Sequence, residues 1–392
     1  MSTAKPKVLI LVSHYLPGFR AGGPIVSVSN LVAELSADFD FVIVTRDRDI
    51  HDQQPYPQYP SGRWHETPAG MVYYASQPEF RFDRLCRLIS STPHDILFLN
   101  SFFDTRLSVL PLLARRLGLI PRKKLLIAPR GEFAPSALKL KSWKKLPYLR
   151  TARAARLIDG AVWMASSSLE ANQVRSVFGV EDLKIQIASD LPRHLPSVRS
   201  TFAQNSNIGE PLRVVFLSRI SPMKNLDFAL RVLAQTNINV VFDIFGPIED
   251  AEYWSLCKKL IGAHGPCIKA NYYGAIEPDK VFATLGRYDL FFLPTRGENF
   301  GHVIIEALLA GTPVLISDRT SWAAATDYSC TVIPLSAGEK AFANFIDRFQ
   351  TLPPPARNQA RDLARRYAES HLNRNSILEE SRHALLSALA QS

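Results

Sequence analysis

Residues 296–318 read RGENFGHVIIEALLAGTPVLISD. A polar loop turns into an apolar helix closed by Gly311, and PVLIS follows as a short buried strand. DLFFLP at 289–294 precedes it as another strand. Strand, loop, helix and strand in succession is the repeat of a parallel α/β sheet. Glu298 stands just before the helix and Glu306 two turns inside it, with Phe300-Gly301 between them. Gly301 at the helix start permits close backbone approach, and the free N–H groups of a first turn favour an anion. Glu306 sits among Val, Ile, Ala and Leu, where a carboxylate needs a donor; a ligand's hydroxyl pair, such as a ribose diol, would supply one. The local pattern equally fits a capping Glu298 and a Glu306 that reaches solvent. Eight helical residues span roughly 12 Å, whereas a glycosidase carboxylate pair stands about 5–9.5 Å apart. Roles at separate parts of an elongated ligand therefore suit this spacing better than two roles at one bond.

The same alternation runs through the chain. Working backwards, the apolar runs are VVFDIFG (240–246), LRVVFLS (212–218), AVWMA (161–165), KLLIAP (124–129), DILFLN (95–100), DFVIVT (40–45) and KVLILVS (7–13). Each is short, rich in β-branched or aromatic residues and bounded by Gly, Pro, Asp or Ser, which predicts buried parallel strands with helical crossovers. Residues 191–211 are polar and punctuated by proline, and read as a linker. A long helical pattern runs from 355 to 390. The expected fold class is α/β, with two doubly wound Rossmann-like domains facing a central cleft. Ligands of such sheets collect at the carboxyl ends of the strands.

The 392 residues suffice for two ordinary domains, and 46% apolar with 21% charged residues is a soluble globular composition. Cys86, Cys257, Cys267 and Cys330 show no paired spacing, and no signal peptide is legible. Reduced thiols and a cytoplasmic location are expected. No stretch approaches the roughly 18 apolar residues of a membrane span. The net charge of +10 suggests an anionic partner.

Two further constellations follow strands. In LSRISPMKN (217–225), Arg219 and Lys224 place two cations where a diphosphate would lie, one a planar fork and the other a point charge. In GFRAGGPIVSVSNLVAEL (18–35), Gly22-Gly23-Pro24 opens a helix with Ile25, Val28, Val32 and Leu35 on its apolar face, and a diglycine there can cradle phosphate. Asp47 and Asp49 form a bare D-x-D in a polar loop, which does not by itself make a metal site; none is expected. His14 and Asp243 read as hydrogen-bonded core or loop residues.

Together these residues resemble the retaining glycosyltransferases of family 4, which have the GT-B fold. The most specific match is E-x-F-G-x-x-x-x-E, here Glu298-Asn299-Phe300-Gly301 through Glu306, followed by EALLAGTPVLISD. Arg219 and Lys224 match the family's R-x-x-x-x-K, and Gly22-Gly23 its diglycine. APRGEFAPSALKLKSWKK (128–145) resembles a segment of relatives that build bacterial surface polysaccharides, such as lipopolysaccharide.

The resemblance implies a metal-independent, same-face transfer of a sugar from a nucleotide-diphosphate sugar, without cofactor. Arg219 and Lys224 would hold the diphosphate, Gly22-Gly23 close over it, Glu306 take the ribose and Glu298 the sugar. Amides near Phe300, Gly301 and His302 would line sugar and phosphate. Arg219, Lys224 and Glu298 would form the catalytic set. Many relatives carry a histidine at the acceptor side, where this chain has Arg130 and Glu132. The acceptor would be a glycan or polyprenyl-diphosphate-linked saccharide. The resemblance implies domains at 1–190 and 212–371, with a C-terminal helix over 372–392 crossing back to the first. An epimerase of nucleotide sugars, or a non-catalytic relative that binds them, fits the same residues.

No G-x-G-x-x-G follows a strand, which argues against a dinucleotide oxidoreductase. No nucleic-acid-binding module is recognised, and no nucleic-acid partner is expected. Residues 139–156, KLKSWKKLPYLRTARAAR, hold seven cations and no carboxylate, interleaved with Trp143, Leu146 and Leu149 and broken by Pro147. Such a segment either packs its apolar side on the domain or lies on an anionic membrane surface. The expectation is peripheral docking on the inner membrane face.

Overall fold

The computed structural model describes residues 4–139, 142–179, 183–192, 210–325 and 327–390. The chain forms two compact units, Met1–Arg193 with Arg374–Ser392, and His194–Asn373. Of the expected linker, 193–209 lies outside the described residues.

The first unit carries β1 (Lys7–Leu11), β2 (Asp40–Arg46), β3 (Trp64–Thr67), β4 (Gly70–Ala75), β5 (Ile96–Leu99), β6 (Lys124–Ile127), β7 (Ala161–Ala165) and β8 (Lys184–Ile187). They form one sheet in the order β3-β4-β2-β1-β5-β6-β7-β8. All neighbours are parallel except the antiparallel β3–β4 pair. The second unit carries β9 (Leu212–Leu217), β10 (Val240–Phe245), β11 (Ile268–Gly274), β12 (Leu290–Leu293), β13 (Val314–Ser317) and β14 (Cys330–Ile333). Its sheet is parallel, in the order β11-β10-β9-β12-β13-β14.

Both sheets are doubly wound. The chain starts in the middle, builds outward on one side, then returns to build on the other. Where the direction reverses, the loops leaving two neighbouring strands diverge and open a crevice. In the first unit that point lies between β1 and β5, and in the second between β9 and β12.

All nine expected strands are present. The sequence reading passes over β3, β4, β8, β11 and β14. Four of these, β3, β8, β11 and β14, are mostly half-buried or exposed along their length. Edge strands need not be apolar throughout, so they carry no continuous hydrophobic run.

The helical pattern at 355–390 is two helices, Pro354–His371 and Arg374–Leu389. The second buries Ile377, Ser381, Ala384, Leu385 and Ala388 along one face. It is fastened within the first unit by Arg374–Glu34 and by Arg382 to Asp38 at 2.8 Å. The helix Ser142–Ala154 continues through Pro147, which does not break it. Pro147 leaves the Trp143 carbonyl without its usual donor, but both residues are exposed and water can serve.

One glycine fixes the close approach of the chain leaving β10 to the chain leaving β9. A Cβ on Gly246, whose φ is +137°, would lie 1.8 Å from the Ser218 carbonyl oxygen. Since that neighbour is backbone, Gly246→Ala is expected to cost about 3 kcal/mol or more. A urea melt followed by tryptophan fluorescence checks this; an unchanged midpoint contradicts it.

Candidate functional site

The site of the second unit is built by the two loops that leave its switch point. After β9 the chain runs through Arg219 and Lys224 to the helix Leu226–Leu233; after β12 it runs through Glu298 to the helix His302–Leu309. Hydrogen bonds sew these loops together. Arg296 N–H donates to the Met223 carbonyl at 2.8 Å, and the Asn225 amide to the Pro294 carbonyl at 2.9 Å. Arg296 Nε returns to Asn225 Oδ1 at 2.9 Å. Asn225 adopts a left-handed φ of 61°, which its short polar side chain tolerates.

Across this seam Lys224 Nζ donates to Glu298 Oε2 at 2.6 Å. The side chains are 9% and 16% exposed, so two residues 74 positions apart form a nearly buried ion pair. Arg219, by contrast, meets Glu249 at 2.9 Å with both side chains well exposed. The backbone behind Glu298 is held by its N–H to the Arg319 carbonyl at 2.9 Å. Trp322 Nε1 donates to the Phe300 carbonyl at 2.8 Å.

Gly301 caps the helix at φ 76°. The positive φ calls for glycine, and a Cβ there would also press on two side chains, 2.8 Å from Ile304 Cδ1 and 3.0 Å from Glu298 Cγ. His302 opens the helix, buried, with its ring 5.0 Å from that of Phe300. Glu306 is half-buried one turn further on. Within this unit the structure thus draws Lys224, Glu298 and Gly301 into contact, with Arg219 on the loop after β9 and His302 and Glu306 on the helix.

The other expected site residues belong to the first unit. Gly22, at φ 69°, caps the helix Gly23–Leu35, and a Cβ there would meet nothing within 4 Å. The loop before it is pinned by the D-x-D stretch. Asp49 Oδ2 accepts from Phe19 N–H at 2.8 Å and Arg20 N–H at 3.1 Å, and its Oδ1 from Ile50 N–H at 2.8 Å. Asp47 is taken by Arg48 and by Ser61 at 2.7 Å. These carboxylates are structural acceptors, and no cluster of three metal-ligating side chains occurs among the described residues.

Arg130 pairs with Asp190 and donates to Asn100 Oδ1 at 2.8 Å, its own φ being 51°. Glu132 accepts from Ser101 Oγ at 2.7 Å and from the N–H groups of Phe102 at 2.6 Å and Phe103 at 3.1 Å. Burial pushes its carboxyl above the usual range, against the opposing pull of those donors and Lys145. Sequence reasoning did not single out Asn225, Gly246, Asp190 or Asn100 for the site. A left-handed Asn or a glycine after a strand is a local signal; the Arg130–Asp190 pair spans 60 positions and has none.

Residues 198–360 match the family described as Glycosyl transferases group 1. Among curated proteins, the chain is 29% identical over 209 residues to a GDP-mannose-dependent alpha-(1-6)-phosphatidylinositol monomannoside mannosyltransferase of Mycobacterium tuberculosis, covering 48% of this chain and 54% of that protein. It is 27% identical over 167 residues to a D-inositol 3-phosphate glycosyltransferase of Nocardia farcinica, covering 40% of this chain and 37% of that one. The chain thus spans about half or less of the length of these relatives. Among solved structures it resembles the sucrose-phosphate synthase of Thermosynechococcus elongatus, with TM-score 0.73, 16% identity and coverage of 98% and 100% of the two chains. It also resembles Anabaena Alr3699/HepE in complex with UDP and glucose, with TM-score 0.72, 17% identity and coverage of 97% and 100%. The fold is GT-B.

Removing one partner of a nearly buried ion pair leaves an uncompensated charge, which costs about 3–5 kcal/mol. Lys224→Ala and Glu298→Ala are each expected to destabilise the second unit strongly. The double variant should be less destabilised than their sum by about 1–3 kcal/mol. Arg219→Ala should change stability by no more than about 0.5 kcal/mol, because its pair is exposed. Chemical denaturation of the four variants measures all three; additivity of the first two disproves the coupling.

Proposed function

We propose that this protein is a retaining, metal-independent glycosyltransferase that uses a nucleoside diphosphate sugar in the synthesis of a surface polysaccharide. The observation that carries the reading is the Lys224–Glu298 pair at the β9/β12 switch point, beside a glycine-capped helix N-terminus. The group 1 glycosyltransferase match over 198–360 and the relatives that act on nucleotide sugars support it.

Arg219 and Lys224 neutralise the charge that develops on the departing diphosphate. Backbone N–H groups at Phe300, Gly301 and His302 line phosphate and sugar. Glu306 takes the ribose hydroxyls and Glu298 those of the transferred sugar. The acceptor hydroxyl attacks on the face the diphosphate leaves, so the anomeric configuration is kept. Because Glu298 also holds Lys224, its role is double: it binds sugar and it aims the ammonium.

Screening UDP-glucose, GDP-mannose and related donors by thermal shift identifies the donor, since ligand at 100 times its Kd adds about 2.7 kcal/mol. With that donor, Arg219→Ala and Lys224→Ala are expected to lower turnover at least about a hundredfold. Assays run below the melting temperature of each variant separate this from lost folding. Glu306→Gln should weaken binding of the free nucleoside diphosphate. NMR of the product should show retention, and activity should survive excess chelator. Near-normal transfer by both cation variants would refute the assignment.

The acceptor is proposed to be a lipid-linked saccharide reached from an anionic membrane surface. In the helix Ser142–Ala154, Leu149 is buried while Trp143 is 72% and Leu146 50% exposed, among the exposed cations Lys144, Arg150 and Arg153. Lys145 instead turns inward, donating to the Ala137 carbonyl at 2.7 Å beneath the Phe103 ring. Leu140 and Lys141 of this stretch lie outside the described residues. The structure adds a second piece, since Leu113, Leu117 and Leu119 are also exposed, beside Arg116, Arg122 and Lys123. Arg116 Nε donates to the Ala155 carbonyl at 2.8 Å and ties the two pieces together. Apolar side chains ringed by cations suit an anionic bilayer, each near-surface cation adding roughly 1 kcal/mol. Vesicles of phosphatidylglycerol and phosphatidylcholine should sediment the wild type at low salt. Lys144, Arg150 and Arg153 all changed to Glu should abolish sedimentation, and equal sedimentation would refute docking.

A further inference from the structure

The chain leaving β13 runs alongside the loop that carries Glu298, and the two are joined residue by residue. Glu298 N–H donates to the Arg319 carbonyl at 2.9 Å. Ser321 Oγ donates to the Asn299 carbonyl at 3.0 Å, and Trp322 Nε1 to the Phe300 carbonyl at 2.8 Å. The consecutive residues Glu298, Asn299 and Phe300 are thus each held by the segment 319–322, which has no part in the donor chemistry proposed above.

A carbonyl held on one side aims an N–H to the other. The peptide unit is planar, and in its trans form the C=O of one residue and the N–H of the next point in opposite directions. Neither the 299–300 nor the 300–301 peptide precedes a proline, so both are trans. Taking the Asn299 carbonyl turns the Phe300 N–H away from the segment 319–322, and taking the Phe300 carbonyl does the same for the Gly301 N–H. Neither N–H donates to a protein group among the described residues. Two adjacent N–H groups with a fixed direction and capacity to spare suit a phosphate or sugar oxygen, and they need no reorientation when it arrives. Gly301 makes the restraint necessary. Lacking a Cβ, it has the widest choice of backbone conformations, so the peptide before it is the one freest to turn over.

The segment is itself anchored. Tyr367, on the helix Pro354–His371, donates from Oη to the Ala323 carbonyl at 2.6 Å. The half-buried Trp322 ring lies 6.1 Å from that of Phe300, 6.3 Å from that of Tyr367 and 6.2 Å from that of His371. Packing against three aromatic rings therefore orients the indole independently of the hydrogen bond it makes.

We infer that Trp322 and Ser321 are positioning residues of the transferase, holding the 300–301 and 299–300 peptides so that the Gly301 and Phe300 N–H groups face the donor. The inference rests on the proposed donor site and adds to it what aims its amides.

The test uses a labelling pattern peculiar to this chain. Phe-Gly occurs at 178–179, 245–246 and 300–301 and nowhere else. With 13C at the phenylalanine carbonyl and 15N at glycine, an HNCO spectrum shows only these peptides, and one peak reports the Phe300 carbonyl and the Gly301 N–H together. Gly179 N–H is bonded to the Arg175 carbonyl and Gly246 N–H to that of Gly274, so their peaks are internal controls. Trp322→Phe keeps an aromatic ring and removes the donor. In the unliganded protein it is expected to shift or broaden the Phe300–Gly301 peak and leave the other two in place. With UDP-glucose or GDP-mannose as donor, its kcat should fall at least about tenfold while KM changes less than about threefold, because charge grows on the diphosphate only as the bond breaks. Ser321→Ala, at an exposed position, should lower kcat in the same sense, and Ser321→Thr, which keeps the hydroxyl, should restore it. If Trp322→Phe leaves the Phe300–Gly301 peak in place, or moves it without lowering kcat, the inference falls. Movement of all the peaks would mark a merely structural role and overturn it as well. A wild type that transfers from no nucleotide sugar would overturn the transferase reading and with it the role of these residues; the peak in the unliganded variant tells that outcome from an absent restraint.

Discussion

Two charges removed from water must neutralise each other or find another partner, and in the second unit Lys224 and Glu298 do so at 2.6 Å. Much of the surrounding architecture follows from that requirement. The ammonium leaves the carboxyl end of β9 and the carboxylate that of β12, strands adjacent in space but separated in sequence by the windings of β10 and β11. The loops bearing them are joined by backbone and amide hydrogen bonds through Met223, Asn225, Pro294 and Arg296. A nearly buried ion pair stabilises a fold little beyond what apolar packing would give. Its value on the proposed function lies elsewhere: it keeps a cation aimed and desolvated before a diphosphate arrives, which is where electrostatic preorganisation acts.

The glycines around this pair serve geometry of two kinds. Gly246 is needed because backbone passes where its side chain would be, bringing β10 against the start of the Arg219 loop. Gly301 is needed because Glu298 and Ile304 fill the space beside it and its φ is positive. In the first unit Gly18 has Tyr56 Oη 2.3 Å from the place of its Cβ, and the loop it opens is then gripped by Asp49. Asp49 of the D-x-D therefore acts as a clamp on the diglycine loop.

The positive net charge is unevenly employed. Arg130, Arg231, Arg361 and Arg374 are spent on internal hydrogen bonds or ion pairs. Of the large apolar residues exposed among the described residues, five of eleven fall between Leu113 and Leu146, in the same region as exposed cations. A cluster of such residues is uncommon where single exposed apolar side chains are the rule, which is why this stretch carries the proposed membrane docking.

The sequence by itself determined the central strands, because a parallel strand buried on both faces must be apolar at nearly every position, as in ILFL of β5 and LFFL of β12. It also determined the places of Arg219, Lys224, Glu298 and Gly301, since each lies within a few residues of a strand end or helix start that local pattern marks. The edge strands were not legible, because half-exposed positions admit polar residues. The break at 372–373 was not read either, although the buried positions pass from Ala360, Ala364 and Ala368 to Ile377, Ser381 and Ala384 about half a turn out of phase. Only the tertiary structure decided which groups meet. That Glu298 takes Lys224 and that Glu132 is consumed by the N–H groups of Phe102 and Phe103 are pairings between residues 74, 30 and 29 positions apart, and that Lys145 turns inward while Trp143 points out is set by how the helix packs. Local pattern records which side chains need a partner; which partner they receive is set by strand order and loop path, and these exist only once the sheet has formed.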